Sequence, residues 1–209
     1  MLTALTGIGL SSAAGLNAYI PLLLVGLIAR FTDLLPLGDS WTWLEHPITL
    51  IVLTVLLVVE FLADKFPAVD SVNDIIQTVV RPSSGGIVFG AGASSVELSE
   101  ITGAASGAAT GDGFSWGPVI AGVVIALGFH LVKSLGRLAA NSMSAGCAAP
   151  FVSFFEDVVS FLTSIVAILL PVLILVVFPA LVVAGVWLVR RSRRSRAERR
   201  EAVDPGAPA

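Results

Sequence analysis

Charge and sulfur are both scarce in this chain of 209 residues. Asp, Glu, Lys and Arg make up only 13% of it, whereas hydrophobic residues make up 56%. The single cysteine, Cys147, cannot form an internal disulfide, and it excludes a dithiol redox mechanism or a cysteine-rich metal site within one chain. The sequence also has no GxSG or HExxH motif, which argues against the common intramembrane proteases.

Long apolar runs dominate what is present. Several of them approach or exceed the ~20 residues that an α-helix needs to cross the hydrocarbon core of a bilayer. The mean hydropathy of +0.93 is typical of an integral membrane protein. Because the runs are continuous and not alternating, they favour helices over the strands of a membrane barrel. We therefore predict an all-α, polytopic bundle of transmembrane helices in which residues 1–190 form one domain.

The basic residues are concentrated at the end of the chain. Seven of the twelve lie between Arg190 and Arg200, directly after an apolar run. In that position they are expected to hold a helix end at the cytoplasmic face and to contact anionic lipid, and binding to nucleic acid is disfavoured. Residues 191–209 are therefore predicted to be a basic and then flexible cytoplasmic tail. The N-terminus has no basic segment of the signal-peptide kind, so its first helix is expected to be retained.

Small residues mark the first predicted span, residues 2–30. Gly7, Ser11 and Gly15 recur every four residues, a spacing that allows a neighbouring helix to approach closely. Asn17 and Pro21 follow within about one turn of each other. They indicate either a local opening of the helix that lines a substrate path or a packed helix whose Asn bonds to a neighbour.

The loops suggest a topology. Residues 31–47 and 96–115 carry acids but no Lys or Arg, which is typical of external segments. The uncharged run 158–189 would be about 48 Å long as one helix, so Pro171 and Pro179 indicate either a kinked helix or a short hairpin. A cytoplasmic basic tail then requires an even number of spans. We predict about six, in the inner membrane, with both termini cytoplasmic.

Most of the remaining charges gather at the predicted cytoplasmic end of the bundle. Ionisable groups near a bilayer core are costly and normally face inward and pair, so we predict a charged cluster there. Lys133 and Arg137 lie on one helix face and are expected to pair with acids of the segment 60–74. The candidate cluster comprises Glu60, Asp64, Lys65, Asp70, Asp74, Arg81, His130, Lys133, Arg137, Asn141, Glu156 and Asp157.

Five stretches carry a family resemblance. They are, in order, GLSSAAGLNAYIPLLLVGLIARF, WLEHP, VEFLADKFPAVDSVNDIIQTVVRPSSGG, HLVKSLGR and FEDVVSF. Together they resemble the bacterial membrane family called domain of unknown function 4126, over most of residues 7–190. The resemblance implies that these residues belong to one architecture, and it implies no activity.

Three kinds of function fit these features. A transporter or channel for a small ion or solute would use Glu60 and Asp64 to bind a cation or proton, with Lys133 and Arg137 as movable counter-charges. A non-catalytic scaffold would use the same ion pairs only to lock helices together. A lipid-phosphate enzyme would hold Mg²⁺ between Asp70 and Asp74. We favour transport, assign no catalytic residue, and expect no cofactor other than a monovalent or divalent cation; a homo-oligomer is compatible with the sequence.

Overall fold

The computed structural model describes residues 2–63, 67–94, 116–144 and 149–203. Within these ranges it describes all side chains except those at 67–72, 74, 138–144, 149–150, 188–189 and 191–203. The described part of the chain is helical, which confirms the predicted all-α fold. Its helices are α1 (Leu2–Leu16), α2 (Tyr19–Phe31), α3 (Pro47–Ala63), α4 (Pro67–Ala93), α5 (Trp116–Ser144), α6 (Ala149–Leu169) and α7 (Ile174–Val203), with short 3₁₀ helices at Asp39–Glu45 and Pro171–Leu173.

Helix α1 lies at the centre of the bundle and packs against α4, α5 and α6. Its small residues make this possible. Gly7 lies against the ring of Phe89 on α4, and Gly15 lies against Ala126 of α5. Ser11 donates a hydrogen bond to the carbonyl of Gly85, 2.9 Å away on α4. The small-residue face predicted from the sequence is thus confirmed as a helix-packing face.

The first predicted span is two helices, not one. The helix is interrupted at Asn17 and Ala18, between Leu16 and Tyr19. The two pieces have 15 and 13 residues, so each is only about 20 Å long, shorter than the ~30 Å hydrocarbon core of a bilayer. The prediction of one continuous span over residues 2–30 is therefore wrong.

Contacts with α4 give the direction of α1. Near the start of α1, Thr6 lies beside Gly92, whereas Ser11 reaches Gly85. The two helices are therefore antiparallel. Helix α1 starts beside the C-terminal turn of α4, which we call the loop end of the bundle. It runs from there towards the level of Glu60, Arg81 and His130, which we call the charged level.

Helix α2 runs back to the loop end. At its start, the carbonyl of Ala18 accepts a hydrogen bond from Ser84, one turn from Arg81 on α4. At its other end, Arg30 donates to the carbonyl of Glu45, 2.9 Å away in the first 3₁₀ helix. That 3₁₀ helix lies at the loop end, because its Trp41 ring covers Gly90 of α4. Helices α1 and α2 therefore form a hairpin whose tip, Asn17 and Ala18, lies at the charged level.

Helices α4 and α5 form a close antiparallel pair. Gly85 and Gly122 lie in direct backbone contact, since a methyl group on either would clash with the carbonyl of the other. Gly86 and Gly90 continue this surface against Val119. The absence of side chains lets the backbones approach, as in the small-residue packing of membrane helices. The pairing brings Arg81 beside His130 at the charged level.

The last apolar run is a hairpin, which decides between the two alternatives left by the sequence. Helix α6 ends at Leu169, and a 3₁₀ turn at Pro171–Leu173 leads into α7. Helix α6 is antiparallel to α1, with Asp157 beside Asn17 and Ala167 beside Gly9. Helix α7 returns along α5 to the charged level: the rings of Phe178 and Phe129 are 5.9 Å apart, and Gly185 lies against Val132.

The outward surface of the bundle is apolar, as expected for helices that face lipid. By length and composition, Trp116–Arg137 and Phe151–Leu169 are able to cross a membrane, and the bent pair Asp39–Glu45 and Pro47–Ala63 would add a third span. The predicted count of six spans is not confirmed. Helix α3 is an example of the apolar outward surface. Its exposed side chains include Ile48, Ile51, Val52, Val55, Val58, Val59 and Leu62.

Candidate functional site

The tip of the α1–α2 hairpin is the starting point of the site. Asn17 is buried there and makes contacts on both sides. Its Oδ1 accepts hydrogen bonds from the backbone N–H groups of Tyr19 and Ile20, at 3.0 and 3.1 Å, and so caps the first turn of α2. Its Nδ2 donates to Oδ1 of Asp157 at 2.9 Å. The helix therefore opens at Asn17, and Asn17 bonds to a neighbouring helix; that the opening lines a substrate path stays a prediction.

Interrupting a helix leaves backbone carbonyls that need donors, because the next turn no longer supplies N–H groups. Neighbouring helices supply them here. Lys133 Nζ of α5 donates to the carbonyl of Leu16 at 2.6 Å. Ser84 Oγ of α4 donates to the carbonyl of Ala18. Ser160 Oγ of α6 adds a bond at 3.0 Å to the carbonyl of Ala13, which also accepts the N–H of Asn17. Three helices thus hold the tip in place.

Glu60 and Arg81 form a buried ion pair beside the tip. Nη2 of Arg81 lies 3.0 Å from Oε1 of Glu60, and the two side chains are 0% and 1% exposed. Nη1 of Arg81 also lies 3.4 Å from Nδ1 of His130. Because a guanidinium only donates, Nδ1 must accept, so the ring hydrogen is on Nε2. Nε2 then donates to Thr78 Oγ1, 3.1 Å away.

A second group of charges joins α5 to α6. Lys133 Nζ lies 2.9 Å from Oε2 of Glu156, and Nη2 of Arg137 lies 3.3 Å from the same oxygen. His130, which contacts Arg81, lies one turn before Lys133 on α5, so the two groups are neighbours in one cluster. The predicted partners of Lys133 and Arg137 were acids of the segment 60–74. Among the described side chains, the direct partner of both is Glu156, and Glu60 pairs with Arg81. Asp64, Asp70 and Asp74 lie outside the described side chains, so pairing with them stays a prediction.

Among the described cluster residues, three cations meet three anions, while His130 is neutral in the tautomer given by its contacts. The cations are Arg81, Lys133 and Arg137, and the anions are Glu60, Glu156 and Asp157. A charge removed from water is costly unless a partner of opposite sign lies beside it. The ion pairs of Glu60 with Arg81, and of Glu156 with Lys133 and Arg137, therefore reduce the cost of burying five of these groups, while Asp157 accepts a hydrogen bond from Asn17.

Several polar residues of the site were not predicted. Thr78 bonds to His130, Ser84 to the hairpin tip and Ser160 to α1, and Gln77 is buried one turn before Arg81. Oε1 of Gln77 and Nε of Arg81 are buried and have no hydrogen-bond partner in the part of the chain that the structure describes. A signal existed in the sequence: Gln77, Arg81 and Ser84 recur at helical spacing and so lie on one face of α4.

Comparison with known proteins identifies the architecture. A family model described as Domain of unknown function (DUF4126) matches residues 4–191. The chain belongs to this family. No curated protein and no solved structure matches the chain. The match extends over the hairpin, the cluster and every helix that packs on them, so the site belongs to the family's shared region.

The remaining predicted residues need a separate account. The side chains of Asp64, Lys65, Asp70, Asp74 and Asn141 lie outside those that the structure describes. The described residues contain no group of three or more His, Cys, Asp and Glu able to hold a metal ion. Pro21 is buried in the first turn of α2, where its missing N–H costs no helical hydrogen bond. It supports the start of α2 but does not itself open the helix.

Proposed function

We propose that this protein is a membrane transporter or channel for a small ion or solute, and that the site lies at the hairpin tip. The observation that carries the proposal is the coincidence of an interrupted helix with a buried charged cluster. Many secondary transporters bind their substrates and coupling ions where helices are interrupted within the membrane, because the ends of the two half-helices present free backbone groups and oriented dipoles.

Two further features support transport over a static arrangement. Oε1 of Gln77 and Nε of Arg81 are buried beside the pair Glu60–Arg81 and have hydrogen-bonding capacity to spare among the described residues. A small polar solute or an ion with its hydration water would use such groups. Lys133 and Arg137 also share one oxygen of Glu156, so Lys133 could move away when a substrate displaces it without leaving that carboxylate unpaired.

We further propose a topology for the inner membrane. Helices α3 to α7 cross the bilayer, and the hairpin α1–α2 enters from the loop end and returns to it. The loop end carries the acidic segment 31–47 and is external, whereas the basic tail is cytoplasmic and contacts anionic lipid. This topology has five crossings and places the N-terminus outside, in place of six crossings with both termini inside.

A non-catalytic scaffold is the second candidate. It is favoured by the balance of three described cations against three described anions, since paired buried charges can fix a helix arrangement at little net energy. The lipid-phosphate enzyme depends on Asp70 and Asp74, whose side chains are not described, and no observation at the described cluster favours it.

A flux assay separates these candidates. Purified protein in liposomes would be tested for movement of H⁺, Na⁺, K⁺, chloride and phosphate, comparing wild type with Glu60→Gln. The matched control is Asp33→Asn, which removes one carboxylate from an exposed position at the loop end. We expect flux of at least one ion in wild type and in Asp33→Asn, and a loss of about tenfold or more in Glu60→Gln.

Equal flux in wild type, Glu60→Gln and protein-free liposomes for every ion would contradict the transport proposal. Folding must be checked in parallel by gel filtration and thermal unfolding. A folded Glu60→Gln variant with altered flux supports a pathway, while a variant that only unfolds more easily supports the scaffold.

A further inference from the structure

Lys133 has an unusual pair of partners for a buried base. Its Nζ lies 2.6 Å from the carbonyl oxygen of Leu16 and 2.9 Å from Oε2 of Glu156. The side chain is 1% exposed, so water does not screen the charge. The ammonium group therefore sits between a neutral backbone oxygen and a carboxylate oxygen, at the point where α1 ends.

This environment has the character of a cation site. Leu16 is the last residue of α1, and the C-terminal end of a helix carries a partial negative charge from its unpaired carbonyls. A carboxylate faces the same point from α6. Carbonyls at the C-terminal ends of interrupted helices, together with acidic side chains, are the oxygen ligands that Na⁺ receives in many transporters. The same set binds any compact cation.

The site is arranged so that the ammonium can be removed without leaving its acid unpaired. Arg137 lies one turn further along α5, and its Nη2 is 3.3 Å from the same Oε2 of Glu156. Loss of Lys133 would therefore leave Glu156 with a guanidinium partner. It would leave the carbonyl of Leu16 facing a space of ammonium size.

We propose that the oxygens of Leu16 and Glu156 form a monovalent-cation site at the hairpin tip, and that the ammonium group of Lys133 occupies it as a tethered cation. The site takes ions of the Na⁺, K⁺ or NH₄⁺ class once Lys133 is shortened. Wild-type protein carries its own cation and needs none of these ions to hold the tip. This claim goes beyond the proposed transport function, because it concerns binding and holds equally for a scaffold.

The test removes the tethered cation and supplies a free one. Lys133→Ala opens the site, while Lys133→Met, of similar length but without charge, keeps it filled. Each variant and wild type would be unfolded thermally in detergent in NaCl, KCl, NH₄Cl or choline chloride at equal ionic strength. We expect at least one small cation to raise the Tm of Lys133→Ala by about 3–6 °C over choline, with shifts near zero in wild type and Lys133→Met. Binding of radioactive Na⁺ or K⁺ at one ion per chain would accompany the shift.

Each outcome of this experiment either supports or overturns the proposed cation site. No shift in Lys133→Ala with any of the three cations overturns the proposal, as do equal shifts in all proteins, which would place the cation elsewhere. If Lys133→Ala does not fold in choline chloride, Lys133→Ser provides a second opened site. Folding of either variant only with a small cation supports the proposal, and failure of both in every salt overturns it. A negative result here leaves wild-type flux unaffected, so it is distinguishable from failure of the transport proposal.

Discussion

Nη2 of Arg81 lies 3.0 Å from Oε1 of Glu60, and neither side chain reaches solvent. The two residues come from α4 and α3, which are consecutive helices in the chain. Arg81 further contacts His130 of α5. One guanidinium thus joins three helices at the level where the α1–α2 hairpin ends, which makes this pair the structural centre of the cluster.

Removing one charge of the pair Glu60–Arg81 should destabilise the protein through the charge that is left unpaired, and removing both charges should cost less than the sum of the two single losses. Glu60→Gln or Arg81→Gln alone leaves a buried charge without its opposite and should reduce the free energy of unfolding by about 3–5 kcal/mol. The double variant removes both charges and should lose clearly less than the sum of the two single losses. Chemical or thermal unfolding in detergent of all four proteins measures the coupling. Additive losses would contradict a direct pairing.

Exchange of the groups at the hairpin tip tests the contact between Asn17 and Asp157. Asn17→Asp should destabilise the protein by several kcal/mol, because it places a second carboxylate at hydrogen-bond distance from Asp157. Adding Asp157→Asn restores one amide and one carboxylate in exchanged positions and keeps an oxygen to cap α2. We expect the double variant to recover most of the lost Tm. Asp157→Asn alone serves as the control, and no recovery would contradict the assigned contact.

Two glycines of α5 should respond in opposite ways to the same substitution. Gly122→Ala places a methyl group against the backbone of Gly85 and should destabilise the protein by about 1–3 kcal/mol. Gly128→Ala meets no atom within 4 Å. It should be neutral or stabilising by up to about 1 kcal/mol, since Ala is the better helix former. Thermal unfolding in detergent compares them, and equal losses would argue against the close α4–α5 contact.

The hairpin predicts that the two ends of the chain lie on opposite faces of the membrane. A protease-sensitive tag before Leu2 should be cleaved from the same side as a tag inserted at Asp39, and a tag after the basic tail only from the other side. Intact spheroplasts and inverted vesicles give the two sides. Cleavage of both terminal tags from one side would restore the six-span topology and contradict the re-entrant hairpin.

Much of the cluster was predictable because charges in an apolar bundle are forced together. Glu60, Arg81, His130, Lys133, Arg137, Glu156 and Asp157 were all expected to converge, and they lie at one level. Their partners were not predictable. A stripe of bases on α5 can face acids from any neighbouring helix, and the choice of Glu156 depends on how α6 packs.

The main error of the sequence-based topology was to predict one continuous span where the structure has the α1–α2 hairpin. Residues 2–30 are apolar enough for one span, and composition does not distinguish a continuous helix from two antiparallel halves. Asn17 did mark the position of the turn. The reversal itself required a donor for the carbonyl of Leu16, which is Lys133, and further bonds to the tip from Ser84 and Ser160, each distant in the sequence.

The sequence by itself determined that the chain is all-helical, apolar on its surface and charged at one end, because hydrophobic burial and the cost of isolated charges act on composition and local periodicity. The tertiary structure alone decided that the first helix turns back at Asn17, that the last run is a hairpin, and which acid meets which base. These features depend on contacts between residues far apart in the chain, where a few hydrogen bonds and the fit of small residues select one packing among several of similar composition.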